Sequence, residues 1–379
     1  MSNGRAFHDG AVSGGITRRE VHRMLAAAGV ATATFGVPTV GRAATTMNFV
    51  GWQGYDTPLT AGGFMEANDL TLQTTYVSTN EEIATKVRGG AAGTIDIGTP
   101  EIKYIQLWVR QGVCEPIDMS QLSNYGQLIP FFANQELLKV DGEQYGAPFT
   151  WGTQPMMYRP DLVTETPTSW LDVLKREYKG KVVMVGSHMG NIMVWGKVVT
   201  GAEIPSWMTP AQLTETIDFL IMIKKEHARA YATSFGEMAD ILARGDAVIS
   251  TLGWEPVAKW AAEKGAKVAM TYPVEGTTGF LDTYIVPKDA PNYDQALAAI
   301  DNALSVQAQL GIASELGQGI VNQDAVDQLA EAERAAYPYD DLVNLADRAK
   351  FYPFPPIEDD GVHATYQMIL DEWERFKRA

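Results

Sequence analysis

After its first 43 residues, the chain alternates short apolar segments typical of strands with amphipathic segments typical of helices. Residues 70–77 and 181–185 are examples of the first kind. Thr209 and Pro210 start a segment of the second kind, with Leu213 and Ile217 on one helical face. Strands that alternate with helices of this length favour parallel sheets with helices on both faces. We therefore predict an α/β fold with mostly parallel sheets.

The length of 379 residues and the placement of proline and glycine indicate two lobes. Proline and glycine concentrate at residues 147–152 and again at 275–279, which we interpret as crossover points between the lobes. Two lobes joined by short crossovers form a hinge around a cleft. The predicted first lobe comprises residues 44–149 plus about 280–320, and the second comprises residues 150–279 plus about 321–379.

The N-terminus has the layout of a bacterial export signal. Arg18 and Arg19 precede an alanine-rich apolar run over residues 24–40, and small residues follow it. The paired arginines resemble the twin-arginine type of signal, so we predict cleavage after Ala43 and a periplasmic protein. A membrane anchor or a buried helix is the alternative, but the run is shorter than the roughly 20 residues that a spanning helix needs.

The charge balance of the chain excludes nucleic acid as a partner. The formal net charge is -16, from 30 basic and 46 acidic residues. The predicted signal carries 5 of the basic and 2 of the acidic residues, so its removal leaves 25 minus 44, or -19. A surface of this charge repels a phosphate backbone. Cys114 is the single cysteine, so no disulfide can form within the chain.

Residues that could support catalysis are few and scattered. His188, His227 and His363 lack the spacing of a metal site, and residues 186–190 lack the residue that a nucleophile elbow places between its first glycine and serine. Residues 317–319 begin a dinucleotide fingerprint that is not completed. We therefore predict no cofactor, no metal and no enzymatic activity. An exported enzyme that acts on a small polar substrate is the alternative.

Aromatic residues follow several predicted strands or lie at the crossovers, and the last of them, Phe280, precedes the carboxylate of Asp282 by two residues. Any one of them could simply pack in a core. As a set they suit an organic ammonium ion, which aromatic faces attract and a carboxylate anchors by a charge-assisted hydrogen bond. The candidates are Trp52, Tyr55, Trp151, Trp254 and Phe280, with Asp282 as the carboxylate.

The mature chain resembles the substrate-binding proteins of ABC importers, specifically the spermidine/putrescine-binding family. The segments that carry the resemblance are residues 48–55, 82–87, 96–100, 148–152, 168–170, 177–180 and 279–282. The resemblance implies a two-lobed type II periplasmic binding protein that closes on its ligand and delivers it to a permease in the inner membrane. It implies that Trp52 and Tyr55 are an aromatic pair of the site and that Asp282 holds an amine. We expect a monomer.

The sequence departs from the family where polyamine binders carry acidic residues after a strand. Here residues 186–191 form a glycine-rich stretch that contains Ser187 and Asn191, and its amide groups suit an anion. Glu101 and Lys103 lie where the family places ligand contacts, although both could equally face solvent. We predict a ligand whose cationic amine binds Asp282 and whose other end is neutral or anionic, as in an amino-acid derivative or betaine. A polyamine-like ligand is the alternative class.

Overall fold

The computed structural model describes residues 44–77, 79–89 and 93–379 of the chain. The predicted export signal, residues 1–43, and the predicted cleavage site lie outside these residues. Within the described part, no helix combines the length and the apolar character needed to cross a bilayer.

A three-stranded parallel sheet forms the centre of the first lobe, with Thr45–Gly51 between Leu70–Tyr76 and Ile97–Gly98. Because the strands are parallel, their carboxyl ends share one edge of the sheet. The segments that follow Gly51 and Gly98 therefore start side by side. This edge carries Trp52, Tyr55, Glu101 and Lys103.

A five-stranded sheet forms the centre of the second lobe. Its order is Ala228–Ala232, Val182–Val185, Ile249–Ser250, Met156–Tyr158, Ala269–Thr271. The first three strands are parallel, and Met156–Tyr158 runs antiparallel to both of its neighbours. The carboxyl ends of the parallel strands lead into residues 186–191 and 251–255, which places these two loops at the same edge of the sheet.

A third sheet joins the lobes. Its order is Gly319–Ile320, Ala147–Thr153, Thr277–Tyr284, Ala349–Lys350. The two long central strands pair antiparallel, as does the pair at the Gly319–Ile320 edge, and the pair at the other edge is parallel. The prediction of mostly parallel sheets thus holds for both lobes, since four of the five strands in the second lobe's sheet run in the same direction. It does not hold for the joining sheet, because its two long central strands run in opposite directions. Two small antiparallel pairs are Cys114–Glu115 with Val286–Pro287 and Lys139–Val140 with Glu143–Gln144.

The helices begin where the sequence provides capping residues. Thr209 accepts from the Gln212 amide while Gln212 bonds back to the Thr209 amide, and Ser234 caps the next helix in the chain. The α-helices are Thr57–Thr60, Phe64–Ala67, Asn80–Arg88, Ile105–Arg110, Pro130–Ala133, His188–Thr200, Pro210–Glu226, Phe235–Arg244, Pro256–Glu263, Tyr293–Ala303, Val306–Gly311, Gln323–Val326, Glu331–Arg334, Leu342–Arg348 and Tyr366–Arg378.

The buried side chains show that the chain returns to the second lobe later than we predicted. Val321, Val326 and Leu345 belong to the first lobe's core, although we expected the second lobe from about residue 321. The second core resumes at Tyr352 and continues through the C-terminal helix. The reason is that Gly319–Ile320 pairs with the crossover strand, which keeps the chain in the first lobe until it crosses near residue 350.

Candidate functional site

The central strands of the joining sheet place Phe280 and Asp282 on one face at the boundary of the lobes. Phe280 pairs with Gly152 and Asp282 with Thr150, and side chains two residues apart on a strand share a face. Leu281, between them, points the other way and is buried in the first core. The face that carries Phe280 and Asp282 is therefore turned away from the first core, and we take it as the candidate floor of the cleft.

Asp282 accepts a hydrogen bond of 2.6 Å on its Oδ2 from the Tyr55 hydroxyl. Tyr55 is itself held in place, because its carbonyl oxygen accepts a bond from the Tyr284 hydroxyl and its ring packs edge-on against Phe149. Both members of the pair are more than 90% buried. The carboxylate is thus fixed in position before any ligand arrives.

The environment of Asp282 raises the pKa of its carboxyl to about 7, because burial disfavours the charge and Glu101 is nearby. The Tyr55 hydrogen bond and the charge of Lys103 act in the opposite direction. Glu101 pairs with Asp282 through the backbone, and Lys103 Nζ lies 2.6 Å from Glu101 Oε1. Both predicted residues therefore lie close to Asp282, and the cation of Lys103 is already neutralised by Glu101.

Aromatic rings from the second lobe cover the Phe280 end of the floor. The Trp254 ring meets Phe280 edge-on at 6.4 Å between ring centroids, and Trp260 and Phe235 pack around Trp254 at 5.4 and 5.6 Å. The indole Nε1 of Trp254 is buried and has no hydrogen-bond partner among the described residues. Trp254 and Phe280, both candidates from the sequence, thus pack against each other.

Glu255 adds a second buried carboxylate that the sequence analysis did not select. Its Oε1 accepts a 2.8 Å bond from the Thr153 amide and another from the Thr153 hydroxyl. Its Oε2 is buried without a partner among the described residues. Burial raises the pKa of this carboxyl to about 7, and the bonds from Thr153 oppose the shift. The feature of the sequence that could have identified Glu255 is its position directly after Trp254, in the loop that follows the strand Ile249–Ser250.

Trp52 lies at the rim of this arrangement and Trp151 lies outside it. Trp52 is half-buried and packs against the first core, one turn before Tyr55. The Trp151 ring is buried on the opposite face of the joining sheet, where it packs against Phe132 and donates from Nε1 to the Ile320 carbonyl at 3.0 Å. Trp151 is therefore a core residue, because alternation along the strand turns it away from Asp282.

The glycine-rich stretch forms the turn that we expected, but Asn191 has a structural role. Its Nδ2 donates to the carbonyls of Val185 at 2.9 Å and Ser187 at 2.7 Å, and the side chain is fully buried. Ser187 is the N-cap of the helix His188–Thr200 and makes no side-chain capping bond. Ser187 thus lies where this turn enters the helix, whereas both amide hydrogens of Asn191 hold the turn and are not available to a ligand.

A polar contact joins the two lobes beside the cleft. The Tyr366 hydroxyl, on the C-terminal helix of the second lobe, donates to Glu81 Oε1 of the first lobe at 2.5 Å. The Tyr104 hydroxyl donates to the same oxygen at 3.0 Å, and His188 Nε2 lies 3.4 Å from the Tyr366 hydroxyl. Burial lowers the pKa of His188 to about 4, so the ring is neutral at pH 7.

Acidic and histidine side chains are present near the cleft, but they do not form a metal centre. Among residues 44–77, 79–89 and 93–379, no three histidine, cysteine or acidic side chains cluster in a way that could hold a metal ion. The site contains two separate buried carboxylates, Asp282 and Glu255, and a group of aromatic rings that includes Trp254 and Phe280. This arrangement can bind organic cations.

Comparison with known proteins relates this chain to solute-binding proteins. The family model described as "Bacterial extracellular solute-binding protein" matches residues 61–356. The spermidine/putrescine-binding periplasmic protein of Escherichia coli (strain K12) is 23% identical over 274 residues, which cover 72% of this chain and 76% of that protein. The putrescine-binding periplasmic protein SpuD of Pseudomonas aeruginosa (strain UCBPP-PA14) is 25% identical over 347 residues, which cover 86% and 90%.

A solved structure has the same fold. The spermidine/putrescine ABC transporter substrate-binding protein PotD from Streptococcus pneumoniae superimposes with a TM-score of 0.73 at 23% identity, over 88% of this chain and 99% of that chain. The chain thus has the two-lobed α/β fold of type II periplasmic binding proteins. The predicted fold class and the resemblance to this group of proteins are confirmed.

Proposed function

This chain belongs to the bacterial extracellular solute-binding proteins, and from that premise we propose that it captures a small amine-bearing organic solute for an ABC importer. The solute is polyamine-like or a zwitterionic amino-acid derivative or betaine. The protein works in the periplasm as a monomer after removal of a twin-arginine signal, and it delivers the solute to a permease in the inner membrane. Its relatives are solute-binding proteins, and binding requires no cofactor and no turnover.

The observation that carries the proposal is Asp282, buried on the floor of the cleft and held by Tyr55. A carboxylate in this position is costly to bury unless a cation or hydrogen-bond donors compensate it. A primary or secondary ammonium can supply both the charge and the donors. The rings of Trp52, Tyr55, Trp254 and Phe280 provide the aromatic surface that such a cation prefers.

Binding also requires the lobes to enclose the solute. The joining sheet carries the chain between the lobes, so rotation about its strands opens and closes the cleft. Closure removes water from around Asp282, which strengthens its attraction for an ammonium. The bond from Tyr366 to Glu81 connects the two lobes and opposes their separation. A permease can then distinguish loaded from empty protein by the relative position of the lobes.

The test is a thermal-shift and calorimetric screen of the purified protein against diamines, zwitterionic amines and amine-free acids. We expect only amine-bearing compounds to raise the melting temperature. Asp282→Asn should weaken the best of them by about tenfold or more, since a charged hydrogen bond contributes roughly 1.5–3 kcal/mol. Asp294→Asn, an exposed helix position, is the matched control. Stabilisation by amine-free acids alone, or unchanged binding by Asp282→Asn, would refute the proposal.

A further inference from the structure

A lysine of the second lobe is bonded to the backbone of the first lobe. Nζ of Lys259 donates to the carbonyl oxygen of Ser314 at 2.9 Å. Lys259 lies on the helix Pro256–Glu263, whose Val257 is buried in the second core. Ser314 directly follows Ala313, which is buried in the first core. The bond therefore connects the two lobes.

The carbonyl that accepts this bond lies at the end of a helix. The helix Val306–Gly311 continues into a π-helical turn, Ile312–Leu316, and stops at Gly317, whose φ of 67° is left-handed. Carbonyl groups in the last turn of a helix point past its end and carry a partial negative charge. An ammonium ion is favoured at such a position, so Lys259 complements the helix end in charge as well as in hydrogen bonding.

The stem of Lys259 also contacts this helix end. A methyl group added at Gly317 would lie 3.5 Å from Cδ of Lys259, which is an ordinary van der Waals distance. The lysine therefore approaches the first lobe with its methylenes and with its ammonium. Lys264, which directly follows the same helix, instead pairs with Asp240 of its own lobe at 3.0 Å. Of these two lysines, only Lys259 bridges the lobes.

The same helix end packs on the loop that carries Tyr55. A methyl group added at Gly54 would lie 2.7 Å from Cδ2 of Leu316, so Leu316 covers the backbone directly before Tyr55. Tyr55 in turn donates to Asp282. The position of the π-helical turn is therefore linked by contact to the position of the hydroxyl that bonds the carboxylate of the site.

The chain enters the candidate floor of the cleft directly after this turn. Gln318 is buried, and its Oε1 accepts a bond of 2.9 Å from the hydroxyl of Thr150. Thr150 is the strand partner of Asp282. Residues 314–318 thus contact Lys259 at one end and the strand that pairs with Asp282 at the other.

From these contacts we propose that Lys259 is a clasp, a side chain that holds the lobes together around the site and slows the release of the solute. Its ammonium binds the negative end of the helix in the other lobe, and separation of the lobes has to break that bond. Lys259 acts through Leu316 and the Tyr55 loop and does not touch the solute, so it is a positioning residue. The inference rests on the proposed function, in which the lobes enclose a solute, and adds what keeps them together.

The first test measures the separation of the lobes without any solute. Spin labels are attached at Asp294→Cys in the first lobe and Glu226→Cys in the second, both exposed helix positions, while the single natural cysteine is buried. Electron–electron resonance then gives the distribution of distances between the labels. We expect Lys259→Met to shift this distribution towards longer distances, and Lys259→Arg, which keeps the cation, to restore most of it.

The matched control is Lys264→Met, which removes the same charge and breaks a contact within the second lobe only. It should give the distances of the unmodified protein. Identical distributions for Lys259→Met and the unmodified protein would overturn the proposal. So would an equal shift in Lys264→Met, since it would reflect the lost charge and not the contact between lobes.

The second test measures the release of two probes, 1,4-diaminobutane and 4-aminobutanoate, by stopped-flow tryptophan fluorescence. We expect Lys259→Met to dissociate from a bound probe about threefold to tenfold faster, with the association rate within about twofold. A purely structural role would instead lower the melting temperature and leave the dissociation rate unchanged, which would contradict the clasp. If neither probe binds the unmodified protein, the proposed function loses its support, whereas the label distances still decide whether Lys259 holds the lobes together.

Discussion

Tyr55 and Asp282 lie 227 residues apart in sequence and are joined by a buried hydrogen bond of 2.6 Å. Tyr55 follows the first strand of the first lobe, and Asp282 lies on a strand that joins the lobes. The bond therefore links the floor of the cleft to one of its walls. It also favours the charged form of Asp282 against the effect of burial.

Replacement of Tyr55 by phenylalanine tests this link. The variant keeps the ring and loses the donor, so the pKa of Asp282 should rise further above 7 and amine binding at pH 7 should weaken by about tenfold. The defect should shrink at pH 8.5, where Asp282 ionises without the donor. Calorimetry at the two pH values checks this. Tyr76→Phe, which removes an exposed hydroxyl that bonds Asp56, should bind normally at both.

The sequence predicted the floor of the site because local patterns determine it. Phe280 and Asp282 are two residues apart in the strand Thr277–Tyr284, and hence on one face. Side chains alternate along a strand, and this alternation places Trp151 in the first core. The sequence could not show which face of the strand points to the cleft, because that depends on the packing of both lobes. The later return of the chain near residue 350 likewise depends on the pairing of Gly319–Ile320, a two-residue strand with little sequence signal.

The sequence did not point to Glu255, because the family resemblance places the second acidic group after a different strand, where this chain has residues 186–191. A single glutamate at a helix start most often caps that helix or faces solvent. Its burial follows from the contact with Thr153, 102 residues away, which no local pattern reveals. Asn191 is the reverse case, because the sequence suggested a ligand contact and the structure shows a residue that holds the turn. An amide in a glycine-rich turn can do either, and the sequence does not distinguish the two roles.

Asn191→Ala should reduce the stability of the protein and leave binding specificity unchanged. The change removes two hydrogen bonds, to the buried carbonyl of Val185 and the partly buried carbonyl of Ser187, which we expect to cost about 1–3 kcal/mol in the free energy of unfolding. Urea unfolding measures the loss. Below the unfolding transition, the order of affinities among amines should match that of the unmodified protein, and an altered order would place Asn191 in the ligand site.

Tyr366→Phe should weaken the closed state. The variant loses the bond to Glu81, which connects the second lobe to the first, while Tyr104 still donates to that oxygen. We expect the ligand to dissociate several-fold faster with a smaller change in association, because the bond connects the two lobes and has to break before they separate. Stopped-flow tryptophan fluorescence resolves the two rates. Tyr145→Phe, at a side chain whose hydroxyl bonds Glu143 within the first lobe, is the control and should leave both rates unchanged.

The affinity for amines should depend on pH with a midpoint near 7. Asp282 and Glu255 both have pKa values raised to about 7, and only their ionised forms attract a cation. Affinity should therefore rise from pH 5.5 to 8, and binding near pH 7 should release protons. Calorimetry in buffers of different ionisation enthalpy measures that release. A constant affinity across this range would show that neither carboxyl contacts the ligand.

The unliganded protein should show the opposite pH dependence in its stability. Between pH 4 and 7, the folded state holds protons on Asp282 and Glu255 that the unfolded state has already lost, so the free energy of unfolding falls as pH rises. Each unit of raised pKa corresponds to about 1.4 kcal/mol. Asp282→Asn removes one of these groups, so its stability relative to the unmodified protein should increase from pH 5 to pH 8. Urea unfolding at both pH values checks this, and a relative stability that stays constant would contradict the burial of an ionisable Asp282.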